Sequence, residues 1–384
     1  MSTKRKTSRP AASQSAKSAA AKSAKSRTDK TNSKPAASSK SKSTKSASAA
    51  GQSSRKPSGG RKPEKPGKGP AKQPPSTPQQ PGATTYTLVV EPNQGLTAIY
   101  NLIASATKSI DMTMYELTDP TVINALIKAQ GAGIPVRVIL DQNDEKTANT
   151  PAYNELTAGK VGVHWANPKY AVTHQKTITV DQTTSAIMTL NLTPEAYAMT
   201  RDFAVITNNA ADVAAIETTF NADFKNAAIT PPTGENLVWS PTNSSSALLA
   251  LIDGASESLL ISQEEFSDTQ IESALEAALK RGVAVTLVQE NQENKYNAVL
   301  TPLKQAGAKI AVYTSTDAKA YYIHAKSVLA DYGTAQAKLF LGSENFSSDS
   351  LGKNRELGLI FSDAACMTGV YNALMADFKN GTAF

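Results

Sequence analysis

His174-Gln175-Lys176-Thr177-Ile178-Thr179-Val180-Asp181 is answered 150 residues later by His324-Ala325-Lys326-Ser327-Val328-Leu329-Ala330-Asp331. The chain holds only three histidines, and two of them open these stretches. After each His-x-Lys comes a short apolar, β-rich run that closes on Asp, which predicts a strand and then a turn. In a strand, residues i and i+2 share a face. His174 would then project beside Lys176, and His324 beside Lys326. One such pair is an ordinary surface feature; two in register mark a duplicated unit.

Working outward, the flanking segments repeat as well. Short strands end at Pro92 and Pro241. Amphipathic stretches follow, Leu96-Ile99-Leu102-Ile103 and Leu248-Leu249-Leu251-Ile252, at helical spacing. Then come strands over 109–115 and 258–262, and helices entered at Asp119 and Asp268, residues suited to the free N–H groups of a first turn. Val136-Arg137-Val138-Ile139-Leu140 and Val285-Thr286-Leu287-Val288 continue each unit. Beyond each His the strands crowd together, over 176–180, 185–190 and 202–207, then 327–329, 338–341 and 357–361, and a helix closes each half. This order predicts an α/β fold of two duplicated α-β-α sandwich units with mixed sheets, packed about a pseudo-twofold axis. The units span 86–232 and 236–384, and Thr230-Pro231-Pro232-Thr233-Gly234 reads as the link.

Residues 1–85 stand apart. They are rich in Lys, Ser, Ala, Pro and Gly, with no aromatic residue, a composition that predicts disorder. They hold 20 of the chain's 40 Lys and Arg but only two of its 33 acids, Asp29 and Glu64. The formal charge of +7 therefore joins a tail of about +18 to a body of about −11. Such a tail favours nucleic acid or an anionic surface as partner. No apolar core of a signal peptide follows the basic start, which leads to an expectation of a cytoplasmic address. No apolar run reaches the roughly 18 residues of a membrane span. The one cysteine, Cys366, excludes an internal disulfide and reads as a buried residue of the last helix. Internal duplication makes a monomer sufficient.

Two imidazoles and two ammonium groups around one pocket suit phosphodiester chemistry. The cations attract the phosphate and the charge of its five-coordinate transition state. One imidazole attacks phosphorus and the other exchanges protons with the leaving and entering oxygens. A metal site fits poorly, since lysine is a rare ligand and the spacing is not that of a metal loop; neither metal nor cofactor is expected. His164, in Val161-Gly162-Val163-His164-Trp165, reads as a satisfied strand residue. Glu264 and Glu265, at a strand end matching Tyr115 and Glu116, are candidates to line the pocket.

With Gly342-Ser343-Glu344-Asn345 and Asn354-Arg355-Glu356 behind the second His-x-Lys-x4-Asp, the body of about 300 residues resembles the phospholipase D superfamily. The resemblance implies that His174 and His324 are nucleophile and general acid/base, the amino-terminal one favoured as nucleophile. It implies that Lys176 and Lys326 hold phosphate oxygens, with Asn191, Asn345, Ser343 and Thr189 adding substrate contacts. Asp202 and Glu356, each preceded by Arg, would accept from the second imidazole nitrogen. Asp181 and Asp331 would be structural. The first copy departs from the second, with Met188-Thr189-Leu190-Asn191 in place of Gly342-Ser343-Glu344-Asn345; Thr189 keeps a hydroxyl and Asn191 the amide, but the missing Gly weakens the expectation of a close backbone approach there. Three functions are distinguished: a phospholipid phosphodiesterase that hydrolyses or transfers, a metal-independent nuclease of the same superfamily, and a non-catalytic polyanion-binding protein.

Overall fold

The computed structural model describes residues 83–314 and 321–384; the basic tail of 1–82 lies outside the described residues. The first half runs β1 (Tyr86–Glu91), α1 (Thr97–Ala104), β2 (Ile110–Met114), α2 (Pro120–Gly131), β3 (Val136–Leu140) and α3 (Lys146–Ala158). It continues with β4 (Gly162–Trp165), β5 (Thr177–Val180), β6 (Thr184–Met188), α4 (Pro194–Tyr197), β7 (Thr200–Thr207) and α5 (Ala210–Asp223). The second half runs β8 (Leu237–Ser240), α6 (Ser244–Gly254), β9 (Ser258–Gln263), α7 (Thr269–Lys280), β10 (Ala284–Glu290) and α8 (Asn297–Gln305). Then come β11 (Lys309–Tyr313), β12 (Tyr322–Ile323), β13 (Ser327–Ala330), β14 (Lys338–Gly342) and α9 (Ser348–Gly352). β15 (Glu356–Phe361), α10 (Ala364–Asn380) and β16 (Thr382–Ala383) complete it.

The two sheets have one topology. The first is ordered β1-β7-β6-β5-β2-β3-β4 and the second β8-β15-β14-β13-β9-β10-β11, edged by β16. Along each seven-strand path two pairings are parallel and four antiparallel. The mixed, duplicated α/β architecture expected from the repeat is the one present. Asp119 and Asp268 accept from Thr121 N and from Gln270 N and Ile271 N, capping α2 and α7 as their positions predict.

Each sheet buries one face under its own helices, with Ile99, Leu126, Val138 and Leu156 in the first half and Leu248, Leu275, Leu287 and Leu300 in the second. The opposite faces share a third core. Ile187, Phe203, Val205 and Ile216 of the first half meet Trp239, Leu329, Leu341 and Leu359 of the second. Burying a large aliphatic or aromatic side chain contributes about 1.5–3 kcal/mol, so this common layer binds the halves into one body. Residues 83–384 accordingly form one compact unit. Cys366, 1% exposed, packs in the shared core, and burial pushes its thiol up to about 12.

The first of the strands after the His-x-Lys motifs begins at Thr177, one residue later than the pattern suggests, and the second at Ser327, as the pattern has it. Both His-x-Lys stretches therefore precede their strands, in segments that cross to the other half. Thr173 bridges Arg355 in parallel, and β12 pairs in parallel with β7 through Tyr322–Thr200 and Ile323–Arg201. His174 N and Gln175 N donate to Arg355 O, and His324 N and Ala325 N donate to Arg201 O. Backbone pairing with the partner half thus replaces regular strand geometry at the site.

Candidate active site

The closing Asp of each motif holds the fold. Asp181 (φ 55°) and Asp331 (φ 51°) open the hairpins after β5 and β13 in the left-handed conformation, which Asp tolerates better than most residues. Their carboxylates turn back to the loop before the parallel strand. Asp181 accepts from Thr107 N and Oγ1, Lys108 N and Ser109 N; Asp331 accepts from Ser256 N and Oγ, Glu257 N and Ser258 N. Partial burial raises the Asp181 carboxyl, but these donors outweigh it and bring it down to about 2.

The carboxylates that meet the histidines are exchanged between halves. His174 Nδ1 lies 2.8 Å from Glu356 Oε2 and 3.2 Å from Ser343 O, whereas His324 Nδ1 lies 2.8 Å from Asp202 Oδ1. Carboxylate and carbonyl oxygens only accept, so Nδ1 carries the proton in both rings. In a neutral ring this leaves the Nε2 lone pair for chemistry. Burial and the Lys176 charge lower the His174 pKa below the usual imidazole value. Burial lifts the Asp202 and Glu356 carboxyls, but their imidazole partners and nearby lysines hold both below the ordinary range.

Both lysines are buried, at 1% and 0% exposure. Lys176 Nζ donates to His174 O at 2.7 Å and Lys326 Nζ to His324 O at 2.5 Å. Burial, and then the Lys326 charge, pull Lys176 down to about 7. The two half-sites thus share one electrostatic environment.

The remaining predicted site residues separate. Thr189, fully buried, donates to Asp202 at 2.5 Å and accepts from Phe203 N. The Ser343 hydroxyl is likewise engaged with Leu357 N and O. These hydroxyls meet the carboxylate-bearing strands. Asn345 accepts from Glu265 N and approaches Glu264 Oε2 at 3.3 Å. Asn191 Oδ1 is buried and unpartnered. The glycine difference resolves locally. Gly342 and Gly358 are paired in register, and a Cβ on either would meet Glu344 Oε2 at 2.4 or 2.8 Å. Met188 and Ala204 pair in register in the first half, where Leu190 replaces the glutamate.

Behind the site stands a second exchange. Arg201 binds Asp377 of α10 through Nε and Nη2, and Arg355 binds Asp223 of α5. Arg355 also lies over the Tyr170 ring at 4.4 Å. The sequence held a signal for these acids: Ala222-Asp223-Phe224-Lys225-Asn226 recurs as Ala376-Asp377-Phe378-Lys379-Asn380. Ser350 Oγ and Asn354 Nδ2, at 2.5 and 2.9 Å, further fix Glu356. His164 lies away from the pocket, stacked on Phe224 with Nδ1 3.0 Å from Phe224 O. Among the described residues no three His, Cys, Asp or Glu side chains are placed to hold a metal, and no helix is long and apolar enough to cross a membrane.

The family described as cardiolipin synthase, PLD-like domain, matches this sequence twice, over residues 99–224 and 248–380. Comparison with curated proteins finds no match. Among solved structures, polyphosphate kinase from Porphyromonas gingivalis is similar over 77% of this chain and 47% of its own, at TM-score 0.63 and 15% identity. This chain spans about half the length of that kinase. Phosphatidylserine synthase from Haemophilus influenzae Rd KW20 is similar over 78% of this chain and 87% of its own, at TM-score 0.61 and 12% identity. Nuc from Salmonella typhimurium, a phospholipase D family member, covers 38% of this chain and 95% of its own, at TM-score 0.34 and 22% identity. At such identities the likeness to the kinase and the synthase is one of fold.

Proposed function

The chain belongs to this phospholipase D-like family, and we propose that it cleaves a phospholipid phosphodiester and passes the phosphatidyl group to water or an alcohol. The observation that carries this reading is the exchanged pairing of His174 with Glu356 and His324 with Asp202, each beside a buried lysine.

His174 is the nucleophile. Its lowered pKa keeps the ring neutral, and the Nδ1–H held by Glu356 directs the Nε2 lone pair outward. As the N–P bond forms, the bond from phosphorus to the leaving alcohol breaks, and His324 gives that oxygen a proton. His324 suits this part, with Asp202 at Nδ1 and Glu264 Oε2 3.7 Å from Nε2 offering a partner to each N–H of an imidazolium. In the second step His324 takes a proton from the incoming hydroxyl, whose oxygen displaces His174. Lys176 offsets charge on the phosphoryl oxygens, and Lys326, paired with Glu264, adds its field from the second half-site. Asn191 completes the substrate contacts, while Asn345, Thr189 and Ser343 position the site.

The test is turnover of labelled phosphatidylcholine and phosphatidylglycerol vesicles in EDTA. Lipid product that disappears in both H174A and H324A supports the reading; undiminished product in either variant refutes it. A nuclease is the second reading, favoured by the 20 cations of residues 1–85. It expects cleavage of single-stranded DNA that weakens steeply with salt.

A further inference from the structure

The two half-sites differ where β2 and β9 end. Tyr115 follows β2 and Glu264 follows β9, in matching positions beside their His-Lys pairs. Tyr115 contributes a ring, edge-on to His174 at 4.6 Å and 4.8 Å from the Lys176 ammonium. Glu264 contributes a charge. Its Oε2 is 2.6 Å from Lys326 Nζ, 3.3 Å from Asn345 Nδ2 and 3.7 Å from His324 Nε2, and its Oε1 accepts from the Tyr322 hydroxyl at 2.7 Å. The Lys326 side chain is fully buried and that of Glu264 is 15% exposed, so the carboxylate is the part of this pair that reaches the opening.

Lys326 and Asn345 are donors suited to a phosphoryl oxygen, yet a carboxylate already engages them. A second anion placed there meets like charge in a largely buried setting, where repulsion is poorly screened. Lys176 faces an aromatic ring instead. Phosphoryl oxygens are therefore better received on the first half-site, which leaves the neighbourhood of His324 to the alcohol side of the diester. His324 Nε2 must touch the ester oxygen to exchange a proton with it. A hydroxyl or ammonium one or two carbons further along that alcohol then falls within reach of Glu264.

We propose that Glu264 is a specificity residue for the alcohol, accepting a hydrogen bond from a hydroxyl or ammonium carried next to the ester oxygen. This rests on the phosphatidyl-transfer reading above. It makes polyols and amino alcohols better acceptors than simple alcohols, since a desolvated carboxylate discriminates against a group that cannot donate to it.

The experiment offers one acyl-labelled phosphatidyl donor to the full chain with equal concentrations of glycerol, ethanolamine and 1-propanol, and measures the products by mass. Product ratios are internal to each protein and so do not depend on its overall rate. In the wild type, glycerol or ethanolamine product should exceed propanol product by about 10-fold or more, and in E264A that excess should fall to about 3-fold or less. E264Q keeps an acceptor beside Lys326 and serves if E264A does not fold. Loss of ethanolamine preference alone in E264Q identifies the ammonium as the recognised group; loss of glycerol preference identifies the hydroxyl. Equal products in the wild type, or an unchanged ratio in a folded variant, overturn this inference and leave the proposed reaction standing. No product from the donor with any acceptor, water included, overturns that reaction and this inference with it.

Discussion

Glu356 Oε2 lies 2.8 Å from His174 Nδ1 although 182 residues separate them, and the contact joins opposite halves of the molecule. Its counterpart joins His324 to Asp202 in the reverse sense. Neither half therefore holds a complete imidazole–carboxylate pair. Replacing Glu356 by Gln removes the charge that orients the ring and permits the wrong tautomer. E356Q and D202N should each lower kcat by about 10²-fold or more, with retained KM. Steady-state kinetics on vesicles decide it, and a loss confined to KM counts against this role.

The two histidines should separate in a half-reaction. With a p-nitrophenyl phosphodiester the leaving group needs little acid help. H324A should then release about one equivalent of nitrophenol and stall as a phosphoryl enzyme. Mass spectrometry should find the added group on the His174 peptide. A burst in H174A, modified at His324, would reverse the assignment.

The pH profile follows from burial. As the proposed nucleophile His174 must be neutral, and its pKa is lowered, so activity should persist below pH 6.5 and fall only as pH drops through that lower value. Lys176, pulled down to about 7, loses its charge as pH rises. An alkaline limb of kcat/KM near pH 7 should result, and K176M should lose most activity. A profile flat to pH 10 would exclude Lys176 as the titrating group.

Lys326 bears on folding as well as on chemistry, because it neutralises Glu264 at 2.6 Å. Lys326→Met strands a largely buried carboxylate and should cost about 3–5 kcal/mol of stability. K326M/E264Q removes both charges and should recover part of that loss. Denaturant unfolding of the four proteins in this cycle measures the coupling; strict additivity would mean that the pair contributes nothing.

Asp181 gives a stability prediction remote from catalysis. Its folded pKa of about 2 lies below the ordinary carboxylate value of 3.8, so its contribution is present above about pH 4 and lost as pH falls through 2. D181N should destabilise by about 1–3 kcal/mol at neutral pH, and its acid unfolding should lose part of the pH dependence between 4 and 2. An unchanged melting temperature would contradict the capping role.

Much of this was legible in one dimension because duplication writes the same constraint twice. The repeat of His, Lys and Asp at a spacing of 150 located both half-sites, and alternating strands and helices fixed the kind of sheet. Arg201 and Arg355 were visible as residues before the carboxylates, but their partners Asp223 and Asp377 were not recognised. Sequence spacing says that a carboxylate exists, and nothing about which imidazole it reaches.

The sequence by itself determined the paired His-Lys motifs and the two-unit α/β body, since these rest on residue type, periodicity and repetition within each half. Only the tertiary structure decided that the halves exchange their carboxylates and arginine partners, and that Glu264 faces Lys326 where Tyr115 faces Lys176. The reason is the core shared between the sheets. Burying apolar faces against each other sets the halves at a fixed angle, and that angle, absent from any local pattern, selects which side chains meet.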